Sequence, residues 1–441
     1  IMSRAFAASL HCRLPALLFL FQGALLVVFV LFVTFDEHMD AVAQPAPSGP
    51  ASNLLHATFS LFRDVQLMLL AGLGLLLAFM KGYGLSAVAF NFLLISVCTQ
   101  WTLVVQGFTY HCHDGRIHLG LHNILTAEFA AVTVLISAGA ILGRTSPVQL
   151  LPMGLCEIPL DMAVDVGGTL TLHVFACYFG LGTTIALHWP ALQLGHPKET
   201  PPYSSDLLSL VGTTFLWAFW PGFVAVLIQP GHAQHRAVLH LDHSQRQRLA
   251  LLCSLHQLGD FGPVTDSQPN LPHRVDVGIR WRKRDVVSCL EPFVGKRQDI
   301  NRNIYIYIYI LGILSSLACI LGSKYMTPFL ATNVHIQTNV APTTFMACIT
   351  GAVGGIMAIL LIPDEAYGLH LHQVFPSRAP PPGNNVLEAT SRLPPVGEDL
   401  GRSASQQALY QAAVLVACVL VSLAGSILPG LILKLPCLAH K

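Results

Sequence analysis

Four groups of residues in this sequence have types and spacings that could do chemistry. The first is His173, in the run Asp165-Val-Gly-Gly-Thr-Leu-Thr-Leu-His173-Val-Phe175, within an otherwise apolar stretch. An ionisable side chain at such a place is costly to bury and is a candidate for contacting a polar species in transit. It either lines a polar path or donates to a neighbouring carbonyl, and the residues alone leave both open. Asp165 and the two glycines suit the start of a helix, where a carboxylate meets the positive end of the dipole. Eight further helical residues would carry His173 about 12 Å deeper.

The second group is Glu157 and Asp161, four apart and therefore on one helical face. Together they could hold a cation. Pro152 and Pro159 interrupt the apolar pattern around them, so a displaced loop is the expected state of 148–164. The third is Tyr110-His111-Cys112-His113-Asp114 with His118 and His122, whose imidazoles and thiol could ligate zinc or copper. Histidine-rich loops without a metal are commoner. The fourth is Glu128, close after Asn123, read as a first-turn acid facing a helix dipole.

No Gly-rich phosphate loop, nucleophile elbow or His-Glu-x-x-His motif is present. The 11 cysteines are scattered without a Cys-x-x-Cys pair and read as small core residues. Paired histidines at matching depth, which a membrane haem would need, are also missing. The expectation is a protein that is not an enzyme and carries no cofactor.

The elements that must position these residues are membrane helices. Of 441 residues, 53% are apolar and 11% charged, whereas about a quarter of a soluble chain is charged. The formal charge of +1 excludes a nucleic-acid binder that relies on bulk positive charge. Residues 14–35 form an apolar block long enough to span a bilayer, which takes about 20 residues. It is too long for a cleaved signal core and is read as a retained helix. Further blocks stand at 65–80, 85–108, 124–143, 170–188, 207–229, 304–322, 344–362 and 408–435. With 148–164 they make about ten spans in an all-α polytopic membrane protein, because backbone polar groups in lipid must pair within each helix. Arg4, Arg13, Lys81, Arg144 and Lys198 fall on one side, and Asp36, Glu37 and Asp40 on the other. This places both termini in the cytoplasm, with Lys434 and Lys441 in agreement.

Four regions result: 1–229 and 304–435 are membrane domain, 230–303 interrupts it, and 436–441 is a short cytoplasmic tail. The interruption holds 11 Lys/Arg and 7 Asp/Glu in 74 residues and no spanning run. After it comes strict Ile/Tyr alternation from Ile304 to Ile310, which a TA-repeat DNA would encode. The segment is read as aberrant, non-coding sequence carried into the chain, or else as a soluble loop.

Several segments together resemble the Rh (Rhesus) branch of the ammonium transporter (Amt/Rh) family. They are Arg13-Leu-Pro, Gly84 to Leu94 with Gln100-Trp101, Gly143 to Leu151, Asp165 to His173, and Phe175 to Leu181. Asp206, Leu216 to Phe223, Gln234 to Ala237 and Tyr325 to Leu330 come next in the same order. The resemblance covers 10–237 and 311–362, and 408–435 matches as a terminal helix.

This resemblance implies a bundle of eleven or twelve helices built as inverted repeats, with a conduction site near the bilayer midplane. It implies a homotrimer, or a heteromer with Rh homologues, with one pore per subunit, in the plasma membrane. The passing species would be ammonia, drawn from ammonium, with CO2 proposed for some members. By position Phe129 and Phe223 resemble the stacked gate that excludes hydrated ions, and Asp165 the vestibule carboxylate. His173 resembles the first of two facing pore histidines. Where the second is expected, the stretch Met346-Ala-Cys-Ile-Thr-Gly351 has Ala347, and Thr350 replaces a proline. Some eleven residues are missing before Asp165, and 238–303 occupies the place of two helices. Three readings therefore stand: a channel for NH3, a non-transporting structural Rh-type subunit, and the inactive product of a misread gene.

Overall fold

A computed structural model describes residues 4–35, 54–76, 85–110, 112–113, 115–141, 145–164, 169–187 and 402–435, with isolated helical positions between 207 and 361. Asp165, Ala347, Lys198, the segment 230–303 and the Ile/Tyr run lie outside the described residues. Four helices among the described residues are long and apolar enough to cross a membrane: Leu14–Phe32, Val88–Tyr110, Leu121–Ala140 and Ala404–Ile432.

Helix α1 spans Arg4–Phe32. Its outward residues are apolar, with Phe19 80% and Val30 76% exposed. In water such a face would be a liability, whereas lipid accepts it without cost. The apolar block expected to be helical through residue 35 turns extended at its end. Val33–Phe35 is strand β1, which lies parallel to β3 (Arg116–Leu119) with Val33 opposite Ile117. β2 (Cys112–His113) pairs antiparallel on the other side of β3. Gly115, at φ 74°, makes the turn between β2 and β3.

The described segment over 54–76 is composite. α2 (Leu54–Leu67) runs into a π-helical segment, Met68–Leu73, and then α3 (Gly74–Leu76). Helix α4 spans Leu85–Tyr110, and Asn91 Nδ2 donates to Gly74 O at 3.1 Å.

Helix α5 (Leu121–Ala140) is the centre of the described bundle, with every residue from Ala127 to Ala140 buried. A helix apolar all round belongs in the interior, and this one is lined by its neighbours on every side. On its inner face Thr133 and Ser137 stand one turn apart.

Residues 147–164 do not form the displaced loop expected of them. Pro147–Val164 is an 18-residue helix, α6. Pro159 removes the donor that would bond the carbonyl of Leu155, and Trp101 Nε1 of α4 supplies the missing hydrogen bond at 3.0 Å. Glu157 and Asp161 point into the bundle, 0% and 4% exposed. Ser137 Oγ donates to Glu157 Oε2 at 2.6 Å, and Thr133 Oγ1 to Asp161 Oδ2 at 3.2 Å. The two hydroxyls and the two carboxyls thus form an antiparallel ladder between α5 and α6. Ser137→Ala removes one rung, and we expect a loss of about 1 kcal/mol in unfolding free energy. An SDS titration would measure it, with Ser96→Ala as control, because Ser96 bonds its own helix at Phe92 O over 2.9 Å.

Helix α7 (Thr169–Ala186) packs between α5 and the last helix, α8 (Ala404–Ile432). The seams are made of small residues, as bilayer packing favours. A methyl group placed on Gly180 would stand 2.7 Å from Ala140 Cβ and 3.0 Å from Ser137 O. One on Gly182 would strike the Ser426 side chain. α8 begins in a capping box, Ser403 with Gln406, that satisfies two backbone donors. Its end is tied to α6 by Gln149 Nε2 donating to Leu433 O at 2.9 Å.

Candidate functional site

Phe129 lies on α5 and Phe223 at the end of the 207–223 stretch, 94 residues later in the chain. The fold stacks them. Their ring centroids are 4.1 Å apart at an interplanar angle of 17°, and both rings are buried. Two parallel rings in contact leave no room for a hydrated ion between them, and dehydrating an ion against hydrocarbon is costly.

His173 is 3% exposed and lies four residues into α7. The described part of that helix starts at Thr169, and His173 stands about 6 Å along it. Below it Phe175 and Phe179 stack within the same helix at 5.7 Å, both fully buried. His173 therefore sits on an element whose next turns are apolar.

Glu128 differs from its reading as a first-turn acid. α5 begins at Leu121, which puts Glu128 beyond the first turn, and its side chain is buried. Burial dictates a partner, and Gln66 of α2 donates its Nε2 to Glu128 Oε1. Gln66 carried no sequence signal of its own. A lone glutamine in an apolar block could have been flagged as an intramembrane polar contact, but nothing in the spacing names its partner.

In the histidine-rich loop Cys112 and His113 lie on β2 and His118 on β3 of the small sheet, while His111 and Asp114 lie outside the described residues. Thr34 Oγ1 lies 3.3 Å from His118 Nδ1, and Asn123 Nδ2 donates to His118 O at 2.9 Å. Among the described residues no three His, Cys, Asp or Glu side chains come together as a metal site. Glu157 and Asp161, whose spacing suits a cation pair, instead accept hydroxyl hydrogen bonds across the α5–α6 seam.

The apolar helices, lipid-compatible outer face and small-residue seams define a polytopic α-helical membrane protein. Residues 24–240 match the model of the Ammonium Transporter Family. The ammonium transporter Rh type B of Homo sapiens is 33% identical over 448 residues, covering 98% of this chain and 90% of that protein. That of Oryctolagus cuniculus is 34% identical over 441 residues, covering 96% and 88%. The chain belongs to the Rh branch of this family. Among solved structures, Rh50 of Nitrosomonas europaea superposes with a TM-score of 0.59 at 22% identity, covering 87% of this chain and 88% of its own. Mep2 of Saccharomyces cerevisiae gives 0.58 at 14% identity, covering 90% and 92%, so the shared fold reaches beyond the Rh branch.

Proposed function

We propose that this chain conducts ammonia across a membrane by a channel-like path, with Phe129 and Phe223 as its gate and His173 as its polar contact. The stacked ring pair carries this reading. A closed apolar seal rejects NH4+ because a bare cation in hydrocarbon is prohibitively costly, while small neutral NH3 loses little water on passing. A dipolar NH3 in a dry path then gains from a hydrogen bond to an imidazole, either of whose nitrogens can donate or accept according to tautomer. Asp165 serves as the vestibule carboxylate that gathers ammonium, and CO2 is a second candidate for the same path. The chain functions in the plasma membrane with both termini cytoplasmic, as a homotrimer or in a heteromer with Rh homologues.

A non-transporting structural subunit is the second reading, and Ala347 favours it, since the sequence has alanine where the Rh branch has its second pore histidine. Stopped-flow alkalinisation of proteoliposomes on an ammonium jump separates the two. The channel reading expects faster alkalinisation than in protein-free vesicles. Equal rates, with the chain co-purifying alongside an Rh homologue, would transfer the assignment to the structural role.

A further inference from the structure

We infer that Gly72, in the π-helical segment after α2, is a positioning residue for the Phe129–Phe223 pair and thereby sets which amines pass. The inference rests on the gate reading above.

One element touches both segments that carry the rings. At its α2 end, Gln66 donates to Glu128, the chain neighbour of Phe129. The other carboxyl oxygen, Glu128 Oε2, is buried with no hydrogen-bond partner among the described residues. The Gln66 amide is therefore the hydrogen bond that holds this carboxyl, and with it α2 is fixed to α5.

Six residues further on, Gly72 lies against Leu216. A methyl group at Gly72 would stand 2.6 Å from Leu216 Cγ, 2.7 Å from its Cδ2 and 3.4 Å from its backbone N. Leu216 is only 2% exposed and has little space to retreat into. Only hydrogen on Cα permits this approach. Leu216 and Phe223 are seven residues apart in the chain, and both are helical and buried.

Between Gln66 and Gly72 the helix makes its π turn, Met68–Leu73. The wider turn takes up one extra residue, which rotates the next residues by about 100° relative to a continuous α-helix. Met68, Leu69 and Leu73 are fully buried and hold that rotation in place. The π turn thus aims the glycine at Leu216 while Gln66 remains on Glu128. Through these two contacts the α2–π segment couples the position of the 207–223 stretch to α5, and with it the ring separation. A change in that separation acts on methylamine more than on ammonia, because a methyl group must also fit past the rings.

The test is the structure and amine permeability of Gly72→Ala in nanodiscs and proteoliposomes. The ring centroids should move from 4.1 Å by more than about 0.5 Å, and the methylamine-to-ammonia permeability ratio should change ~3-fold or more, the scale of one methyl group in an apolar slot. The double variant Gly72→Ala with Leu216→Ala makes room for the new methyl and should return both readouts toward wild type. A general folding defect would not be rescued in this way. Should Gly72→Ala alone fail to fold, Leu216→Ala deletes the contact from the other side and should shift the same two readouts. Rings that stay stacked as in wild type in Gly72→Ala, or in Leu216→Ala alone, would overturn the inference. Since ring geometry is read without transport, a wild-type chain that carries no ammonia would sink the channel reading and leave the positioning result standing by itself.

Discussion

His173→Ala is expected to slow ammonia passage about tenfold per chain at the membrane, with the amount of protein reaching the membrane unchanged. The magnitude comes from the chemistry. One hydrogen bond between a small dipolar molecule and a buried imidazole is worth about 1–1.5 kcal/mol net. A loss of about 1.36 kcal/mol at the barrier is a factor of about ten in rate. The alanine leaves a cavity on an α7 face that is already small-residue rich, so packing against α5 and α8 should hold. Flux in vesicles containing matched amounts of protein is the measurement. A mutant that conducts like wild type removes His173 from the path, whereas a mutant that never reaches the membrane assigns the histidine to folding. Phe129 and Phe223 test the other half of the mechanism, and the Gly72 variants reach them without touching either ring.

Gly180→Val should lower stability by about 2–3 kcal/mol. The reason is what surrounds the glycine. A methyl there meets Ala140 Cβ at 2.7 Å, Ser137 O at 3.0 Å and Ser137 Cα at 3.1 Å, and backbone cannot swing aside. Helix α7 must therefore separate from α5, and bilayer helices have no hydrophobic force to draw them back together. Gly23 is the natural control. Nothing lies within 4 Å of a methyl placed on it, so Gly23→Ala should be neutral or stabilising, because alanine is the better helix former. Denaturation in SDS would compare the two. Equal stabilities would mean that the α5–α7 seam is looser than these contacts describe.

The α5–α6 seam also shows where sequence reasoning stops short. Pro152, Glu157, Pro159 and Asp161 read as damage in an apolar block, because propensity treats each residue alone. In the fold three of these irregularities find a partner on another helix: the carbonyl freed by Pro159 bonds Trp101, Glu157 bonds Ser137, and Asp161 bonds Thr133. Glu128 escapes a sequence reading for the same reason, since Gln66 lies 62 residues away in sequence. The register of the spans is closer to legible. The block at 85–108 corresponds to Leu85–Tyr110, and that at 124–143 to Leu121–Ala140, offset by three residues at each end. Apolar length fixes a span, while its ends depend on caps and on contacts such as the strand pairing that takes Val33–Phe35 out of α1.

By itself, the sequence determined the membrane class, because long uncharged runs have no other stable state than helices in lipid. Its motifs also pointed to the Rh branch, which the relatives at 33–34% identity then established. Only the tertiary structure decided which side chains meet: the 4.1 Å ring stack, the carboxyl–hydroxyl ladder, Gln66 on Glu128 and Gly72 against Leu216. Hydrophobicity is a property of each residue and can be read along the chain. Contact is a property of pairs, and it is set by helix rotation and by how closely small residues let the backbones approach.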